Sequence, residues 1–296
     1  MYVITGATGH TGHIIVEELI AAGKKVKAVV RNATKGGPLA EKGAQLAVGD
    51  LEDSAFLKET FKGAEAVYLM VPPKWNITDW RAYQREIIQN FVDALQGSGV
   101  KYAVVLSSMG AHMPTGAGPV SGLYDLEQAL KTVAGLNVLN LRPGYFMENF
   151  LGNIGLIKAA GIQGYALNAD LKVPLVHTHD IAEVAVKHFL TLDFEGHSHV
   201  FVAGAADYTM TEATAILSDA VGKPFHYVQF SPEDARAGMI GAGLPETIAD
   251  GYNELFAGLN SGEYLNGYER DASNTTPTTF EDFAKKEFAV AFNAVS

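Results

Sequence analysis

The chain has 296 residues, of which 48% are hydrophobic and 19% are charged, which is typical of a globular protein with a large core. Its formal net charge of −11 and the lack of any Lys- or Arg-rich run argue against nucleic acid or an anionic membrane as the main partner. Cysteine is absent, which excludes disulfides, thiolate catalysis and Cys-ligated zinc and favours a cytoplasmic location. No apolar run is long enough to span a membrane, and we expect no signal peptide because the first motif begins at Tyr2.

The first 30 residues predict one βαβ unit. A short apolar strand at residues 2–4 ends in the Gly-rich run 5–12. Ile15, Leu19 and Ala22 then recur at helical spacing, and a second apolar run at residues 25–30 predicts the next strand. Strand, turn, helix and strand in this order predict a parallel sheet.

The alternation continues to about residue 145 and predicts a Rossmann-type, doubly wound sheet. Further strands are expected at residues 45–48, 66–71, 103–106 and 138–141, and helices at 54–61, 81–95 and 123–133. The run at residues 66–71 is continuously apolar, as expected of a strand that is buried on both faces. The Gly- and Pro-rich residues 110–122 predict a long loop after the fifth strand, where it would border a ligand site.

Beyond Pro143 the alternation loosens, which predicts a second, smaller and mixed lobe. We expect a helix at residues 178–192 with Asp180 and Glu183 as its capping box, and a strand at residues 199–202. Helix starts are also predicted at Thr209 with Glu212 and at residues 231–234, and a terminal helix is predicted from the apolar stripe around residues 280–292.

These patterns predict a dinucleotide-binding domain and a substrate-covering lobe. The first is assigned residues 1–145 plus about 178–205, and the second residues 146–177 plus 206–296.

The turn after the first strand carries Gly6, Gly9 and Gly12. Such a triplet is weak by itself, but here it follows a strand and opens a helix, which is the context that a dinucleotide site requires. Glycine allows the backbone to approach a diphosphate, and the helix N-terminus offers free N–H groups and a positive dipole end. The turn therefore predicts a nicotinamide dinucleotide as cofactor, with a tight turn without ligand as the alternative.

The end of the second strand favours NADP(H) over NAD(H). An acid at this place would bind the ribose 2′-hydroxyl, whereas this chain has Arg31 and Asn32 there, with Lys35 just beyond. A guanidinium binds a 2′-phosphate well, although Arg31 could also be an ordinary solvated charge. Asp50, after the third strand, is a candidate for the adenine edge or for a helix N-cap.

Two His-x-His pairs are candidate metal ligands. His177 with His179, and His197 with His199, would each lie on one face of a strand. Neither pair has an obvious third ligand in the sequence, so we expect no metal.

With these motifs in place, the sequence resembles the NmrA-like family of atypical short-chain dehydrogenase/reductases. The resemblance spans the chain and is closest to the NAD(P)H:quinone oxidoreductase and triphenylmethane-dye reductase branch. The segments that carry it are residues 5–12, 30–32, 49–50, 71–73, 141–149, 176–184 and 280–283. It implies NADPH along the carboxyl edge of the sheet, and matching positions make the following residues candidate cofactor contacts: Gly6, Thr8, Gly9, His10, Thr11, Gly12, Arg31, Asp50, Val71 and Pro72. Lys35, Leu51, Ser107 and Tyr145 are added as neighbours of these positions.

The catalytic dyad of most enzymes of this superfamily, a Tyr followed four residues later by a Lys, is absent. None of the twelve tyrosines has Lys at that position; Tyr124 is followed by Gln128 and Tyr145 by Asn149. Since the Lys normally lowers the pKa of the phenol, alcohol–ketone chemistry has no candidate pair here. Tyr145, Tyr124 and Ser107 remain as candidate catalytic residues.

Reduction of a quinone-like or dye-like acceptor needs less from the protein, since the cofactor supplies the hydride and water can supply the proton. A flat acceptor would suit a site lined by Tyr145, Phe146 and Phe150, with Ser107 or Ser108 near the nicotinamide ring. The alternative is that these three aromatic residues are ordinary core residues. We therefore expect an NADPH-dependent oxidoreductase with a small-molecule acceptor, acting as a monomer or homodimer. The alternative is a redox sensor that binds NADP(H) without turnover.

Overall fold

The computed structural model describes residues 1–294, in which strands and helices alternate along most of the chain. The strands are β1 (Tyr2–Ile4), β2 (Val26–Val30), β3 (Gln45–Val48), β4 (Ala66–Leu69), β5 (Tyr102–Leu106), β6 (Asn137–Pro143), β7 (Tyr145–Phe146), β8 (Ile162–Tyr165), β9 (Val173–Val176), β10 (His197–Val202), β11 (Asp207–Tyr208) and β12 (His226–Gln229). The helices are α1 (Gly12–Ala21), α2 (Ala33–Glu41), α3 (Ser54–Phe61), α4 (Trp80–Leu95), α5 (Ser121–Leu130), α6 (Ile154–Ala160), α7 (Thr178–Thr191), α8 (Met210–Val221), α9 (Pro232–Gly241), α10 (Glu246–Asn260), α11 (Phe280–Phe283) and α12 (Ala289–Ala294). None of the helices within these residues is both long and apolar enough to cross a lipid bilayer.

Seven of these strands form one parallel sheet in the order β3-β2-β1-β4-β5-β6-β10. The chain therefore winds outward from β1 in one direction and then from β4 in the other. In such a sheet, ligands bind outside the carboxyl ends of the strands, where the winding reverses. The predicted Rossmann-type sheet is confirmed, and its crevice lies between the turns that follow β1 and β4.

Alternating side chains of the sheet enter two separate cores. On one face Tyr2 and Ile4 pack with residues of α1 and α7, whereas on the other Val3 packs with residues of α3, α4 and α5. All three side chains of β1 are almost completely buried. Burial of both faces is what a parallel sheet between two helical layers requires.

A third apolar cluster comes mostly from the second half and also includes Met109, Met113 and Ala117; we propose it as the core of the smaller lobe, whose boundaries stay a prediction. It includes Met147, Phe150, Phe256 and Phe280, all at most 5% exposed. Small sheets, one with the order β11-β9-β7 and one that pairs β12 with β8, complete this part of the chain. The predicted terminal helix is confirmed as α11, a π-helical turn (Ala284–Phe288) and α12.

Two local predictions were wrong. The predicted loop at residues 110–122 is shorter, because a 3₁₀ turn (Gly118–Val120) leads directly into α5 at Ser121. The capping box of α7 is not formed by Asp180 and Glu183: His177 is the N-cap, and its side chain accepts a bond from the N–H of His179. The Asp180 carboxylate instead accepts bonds from the backbone N–H and hydroxyl of Thr278, so a tertiary contact displaces the local one.

The helix starts predicted at Thr209 and at residues 231–234 agree with the structure. Thr209 and Glu212 form the reciprocal capping box of α8, and Gly222 ends that helix in the left-handed conformation. Ser231 caps α9, with Pro232 at its first position. These signals are reliable because they satisfy backbone groups within a few residues of the cap.

Candidate functional site

The Gly-rich turn after β1 has the close backbone packing that its glycines predict. Gly6 has a φ of +60°, and its carbonyl accepts a bond of 2.9 Å from the N–H of Gly9. A Cβ on Gly12 would lie only 2.2 Å from the Gly6 carbonyl oxygen, so no other residue fits at the start of α1. Thr8, Gly9 and His10 are exposed, so a diphosphate can approach this part of the turn, although the N–H of Gly9 is already bonded to Gly6.

Thr11 contributes differently from the other residues of the turn. Its hydroxyl is hydrogen-bonded to the hydroxyl of Tyr68 on β4 at 3.0 Å, and both side chains are buried. Burial raises the pKa of Tyr68 above its ordinary value, so this pair is neutral. Thr11 therefore joins the turn to β4, and only its backbone is open to a ligand.

The end of β2 forms a positively charged corner. Asn32 is the N-cap of α2, and its side chain accepts bonds from the N–H groups of Thr34 and Lys35. Arg31 and Lys35 are both exposed at this helix N-terminus. Two cations and a helix N-terminus together favour an anion, which is the property that a 2′-phosphate site needs. Helix α2 itself was not predicted, because residues 33–41 include two glycines and a proline.

The predicted cofactor contacts at the ends of β3 and β4 differ in how far they are exposed. Asp50 is exposed, and its carboxylate accepts a bond from the N–H of Glu52, whereas Asp53 is the N-cap of α3. The alternative that Asp50 caps this helix was therefore wrong, and its carboxylate is free to contact adenine. Leu51 is 7% exposed, so its side chain belongs to the core. Val71 and Pro72 are half-buried at the other side of the crevice.

Ser107, which follows β5, is part of a buried ionic network. Its hydroxyl donates to Oε1 of Glu127 at 2.5 Å, and Glu127 accepts two further bonds from Arg142, at 3.0 Å from Nε and 2.6 Å from Nη2. The side chains of Glu127 and Arg142 are 5% and 12% exposed. The hydroxyl of Ser107 thus points into the interior, and the expected role at the nicotinamide ring is restricted to its backbone.

Ser108, the next residue, contacts a residue that the sequence did not indicate. Its hydroxyl is hydrogen-bonded at 2.8 Å to the hydroxyl of Tyr264, which lies in a 3₁₀ turn (Glu263–Leu265) after α10. The Tyr264 ring lies against Gly110, where a Cβ would come within 2.5 Å of it. Burial raises the pKa of Tyr264 to about 12, so its phenol is protonated at neutral pH. No local pattern marks Tyr264, because its partner is 156 residues away.

Tyr145 lies where β6 leaves the main sheet, among other aromatic rings. Its ring contacts those of Phe150 and Tyr165, with centroid distances of 5.9 and 6.4 Å. Burial raises the pKa of Tyr145 well above its ordinary value, and that of Tyr165 to about 12. Phe150 is completely buried, so for this residue the alternative of core packing is confirmed. Tyr124 is half-buried on α5.

The histidine pairs differ in their surroundings. His177 and His179 are not on a strand: the first caps α7 and the second lies within it. His179, Asp180 and Glu183 bring ligand atoms within 4.8 Å of one another, although the Asp180 oxygens already bind Thr278. The absence of a metal stays a prediction.

Comparison with known proteins identifies the family of this chain. The model of the NmrA-like family matches residues 2–284. The chain belongs to the NmrA-like family. It is 31% identical to an NAD(P)H azoreductase of Xenophilus azovorans, over 99% of this chain and 100% of that protein. It is 28% identical to quinone oxidoreductase 2 of Escherichia coli, over 88% of this chain and 89% of that protein. Among solved structures, Citrobacter sp. triphenylmethane reductase, complexed with NADP(H), matches with a TM-score of 0.80 at 22% identity, covering 96% of this chain and 99% of that one.

The crevice of this NmrA-like chain fits NADP(H). The Gly6–Gly12 contact brings the turn close enough to the helix start for a diphosphate to meet backbone N–H groups. Arg31 and Lys35 lie exposed at the α2 N-terminus and Asp50 is exposed after β3, and their contacts with the 2′-phosphate and with adenine stay predictions. Ser107, Ser108 and Tyr145 follow β5 and β6, at the end of the crevice where a nicotinamide would lie.

Proposed function

We propose that this chain is an NADPH-dependent oxidoreductase that transfers a hydride to a quinone-like or dye-like acceptor. The observation that carries the cofactor assignment is the exposed pair Arg31 and Lys35 at the α2 N-terminus, beside the Gly-rich turn. The three relatives are an azoreductase, a quinone oxidoreductase and a triphenylmethane reductase, which supports the same class of reaction. Bound NADPH supplies the hydride.

The residues around the nicotinamide end favour an acceptor that needs no strong acid. On α5, where the usual dyad would lie, Tyr124 is followed by Gln128 rather than by Lys. The buried phenols of Tyr145 and Tyr264 have raised pKa values, so they act as neutral hydrogen-bond donors and not as bases. Such a site suits a quinone or an azo or triphenylmethane dye, whose reduced form is stable and can take any proton from water.

Aromatic side chains from both halves of the chain contact one another in a row, and the exposed ring at one end of it suits a flat acceptor. Trp75, in the segment after β4, stacks on Tyr252 of α10 with a centroid distance of 6.1 Å and an interplanar angle of 15°. Tyr252 contacts Phe256, which contacts Tyr165, which in turn contacts Tyr145. A row of rings therefore runs from the half-exposed indole of Trp75 to the end of β6. Offset stacking and edge contacts with such rings favour planar aromatic ligands.

Measuring NADPH and NADH oxidation separates the enzyme from the non-catalytic sensor that was the alternative. The wild-type protein is assayed with a panel of quinones, azo dyes and triphenylmethane dyes, and binding of both cofactors is titrated in parallel. We expect turnover with NADPH and a clear preference for it over NADH. Tight NADPH binding without oxidation by any acceptor would contradict the enzyme and support the sensor.

Substitution of Arg31 tests the cofactor preference itself. Arg31→Ala removes a charge-assisted contact to the 2′-phosphate, which is worth about 1.5–3 kcal/mol, so NADPH affinity falls by at least about tenfold while NADH affinity is unchanged. Arg85→Ala, at a 67% exposed arginine of α4, is the matched control. Equal losses for NADPH and NADH would refute the role of Arg31.

The cytoplasmic location and the monomeric or homodimeric state stay predictions.

A further inference from the structure

The hydroxyl pair of Ser108 and Tyr264 joins the two halves of the chain at the nicotinamide end of the crevice. Ser108 follows β5, whereas Tyr264 comes from the segment after α10. Packing holds the phenol of Tyr264 in place, because this residue is 8% exposed and its ring lies directly against Gly110. The pair is thus built into the fold and is not an accidental contact of two flexible side chains.

The two hydroxyls carry two protons, and the hydrogen bond between them uses only one, so the other can be donated to a ligand. Each hydroxyl carries one proton, and only one of the two lies in the 2.8 Å bond. Within residues 1–294 neither hydroxyl has another hydrogen-bond partner. Either hydroxyl can donate in this bond, and Ser108 is the more exposed of the two. With Tyr264 as the donor to the Ser108 oxygen, the Ser108 proton is left for a ligand. Because the buried phenol stays protonated at neutral pH, this arrangement persists under assay conditions.

We propose that Ser108, positioned and polarised by Tyr264, donates a hydrogen bond to the acceptor atom that becomes negatively charged when the hydride arrives. This inference rests on the proposed function and adds a preference among acceptors. A donor placed where charge develops stabilises the transition state more than the bound ground state. Ser108 would contact the acceptor and is the catalytic residue, whereas Tyr264 acts through Ser108 and is a positioning residue.

The charge that develops depends on the chemical class of the acceptor. A quinone gains two electrons with the hydride and becomes a hydroquinone monoanion, which then takes one proton from water. An azo group gains a hydride on one nitrogen, leaving the negative charge on the other, which is protonated in the same way. A triphenylmethyl cation forms one C–H bond with the hydride, becomes neutral and needs no proton. The Ser108–Tyr264 pair therefore assists quinones and azo dyes but not cationic triphenylmethane dyes.

Steady-state kinetics with the two kinds of acceptor test this difference in one enzyme. For Ser108→Ala we expect kcat/KM to fall by roughly 100-fold with a quinone and by less than about threefold with a triphenylmethane dye. For Tyr264→Phe, which retains the ring over Gly110, we expect a fall of about tenfold with the quinone only. Tyr268→Phe is the matched control. It removes a phenol hydroxyl from the same segment as Tyr264, but that hydroxyl bonds Asp207 and not Ser108. Equal losses with both acceptors, or none with the quinone, would overturn the inference.

A binding measurement tests the pair without turnover. Pentafluorophenol, which is ionised at neutral pH, mimics the anionic product, and phenol is its neutral counterpart. Calorimetry on the protein loaded with NADP⁺ should show about tenfold weaker pentafluorophenolate binding in Ser108→Ala, with phenol binding and NADP⁺ binding nearly unchanged. Unchanged pentafluorophenolate affinity would contradict the inference. If no acceptor is reduced by the wild type, the proposed function fails, and this titration still decides whether Ser108 binds an anion.

Discussion

Removing the carboxylate of Glu127 should lower the stability of the protein more than removing the carboxylate of Asp125, which lies on the same helix α5. Glu127 is 5% exposed and accepts both bonds of a bidentate pair with Arg142 as well as the bond from Ser107. In Glu127→Ala the guanidinium of Arg142, itself 12% exposed, is left in the interior without its counter-ion. Breaking a buried pair from one side is costly because the remaining charge is neither solvated nor neutralised.

The magnitude follows from the burial of both partners. Loss of one member of a buried pair costs about 3–5 kcal/mol, whereas an exposed pair contributes about 0–1 kcal/mol. For a chain of this size 1 kcal/mol corresponds to about 2 °C, so Glu127→Ala should lower the Tm by roughly 6–10 °C. Asp125→Ala, two residues away, breaks the pair with Arg81. In this pair the Asp125 side chain is 28% exposed and that of Arg81 is 22% exposed. This control should lower the Tm by no more than about 2 °C.

Thermal unfolding followed by circular dichroism measures both variants under identical conditions. The double variant Glu127→Leu with Arg142→Met should recover much of the loss, because an apolar pair of similar volume removes both buried charges. Glu127→Gln, which retains the shape but not the charge, should lie between the wild type and Glu127→Ala. If Glu127→Ala is no less stable than Asp125→Ala, the network is not a buried pair in solution and the reasoning fails.

Three further predictions concern the turn, the aromatic row and the buried phenols. Gly12→Ala should abolish NADPH binding and destabilise the chain, since its Cβ would lie 2.2 Å from the Gly6 carbonyl; Gly37→Ala, where a Cβ meets nothing within 4 Å, is the control, and retained binding in Gly12→Ala would contradict this. Trp75→Ala removes the exposed indole on which a large dye is proposed to stack, a contact worth about 0.5–1.5 kcal/mol, so KM for such a dye should rise about threefold to tenfold, with NADPH affinity unchanged and Trp75→Phe partly restoring it. Burial raises the pKa of Tyr165 and Tyr252 to about 12, above the value of about 10 in the unfolded chain. Their contribution to stability is therefore complete below about pH 10 and is lost as the pH rises towards about 12. Urea unfolding across that range should show a shallower decline in Tyr165→Phe than in the wild type, and identical slopes would refute the assignment.

The cofactor half was predictable from the sequence because its signals are local. The turn with Gly6 and Gly12, the strands around it and the exposed Arg31 all lie within the first 31 residues. Each depends on a requirement of the backbone or on the residue that ends a strand, and the structure places them as those requirements demand. The caps at Thr209 and Ser231 were predictable for the same reason.

The acceptor side was much less predictable. Ser107 and Ser108 are adjacent and chemically identical, yet one hydroxyl bonds buried Glu127 and the other bonds Tyr264. Phe150 was a candidate for the acceptor site and is core, whereas the stacked rings of Trp75 and Tyr252 were not predicted as part of a site. The direction of a side chain at the end of a strand depends on partners that are distant in sequence.

The sequence by itself determined the parallel α/β fold and the place of the dinucleotide site, since hydrophobic periodicity, helix caps and the Gly-rich turn act over a few residues. Only the tertiary structure decided which partners the hydroxyls and rings after β5 and β6 contact. Contacts such as Ser108 with Tyr264, 156 residues apart, form when the second half of the chain packs over the sheet. Packing of that kind is set by the whole core, and no short pattern in the sequence encodes it.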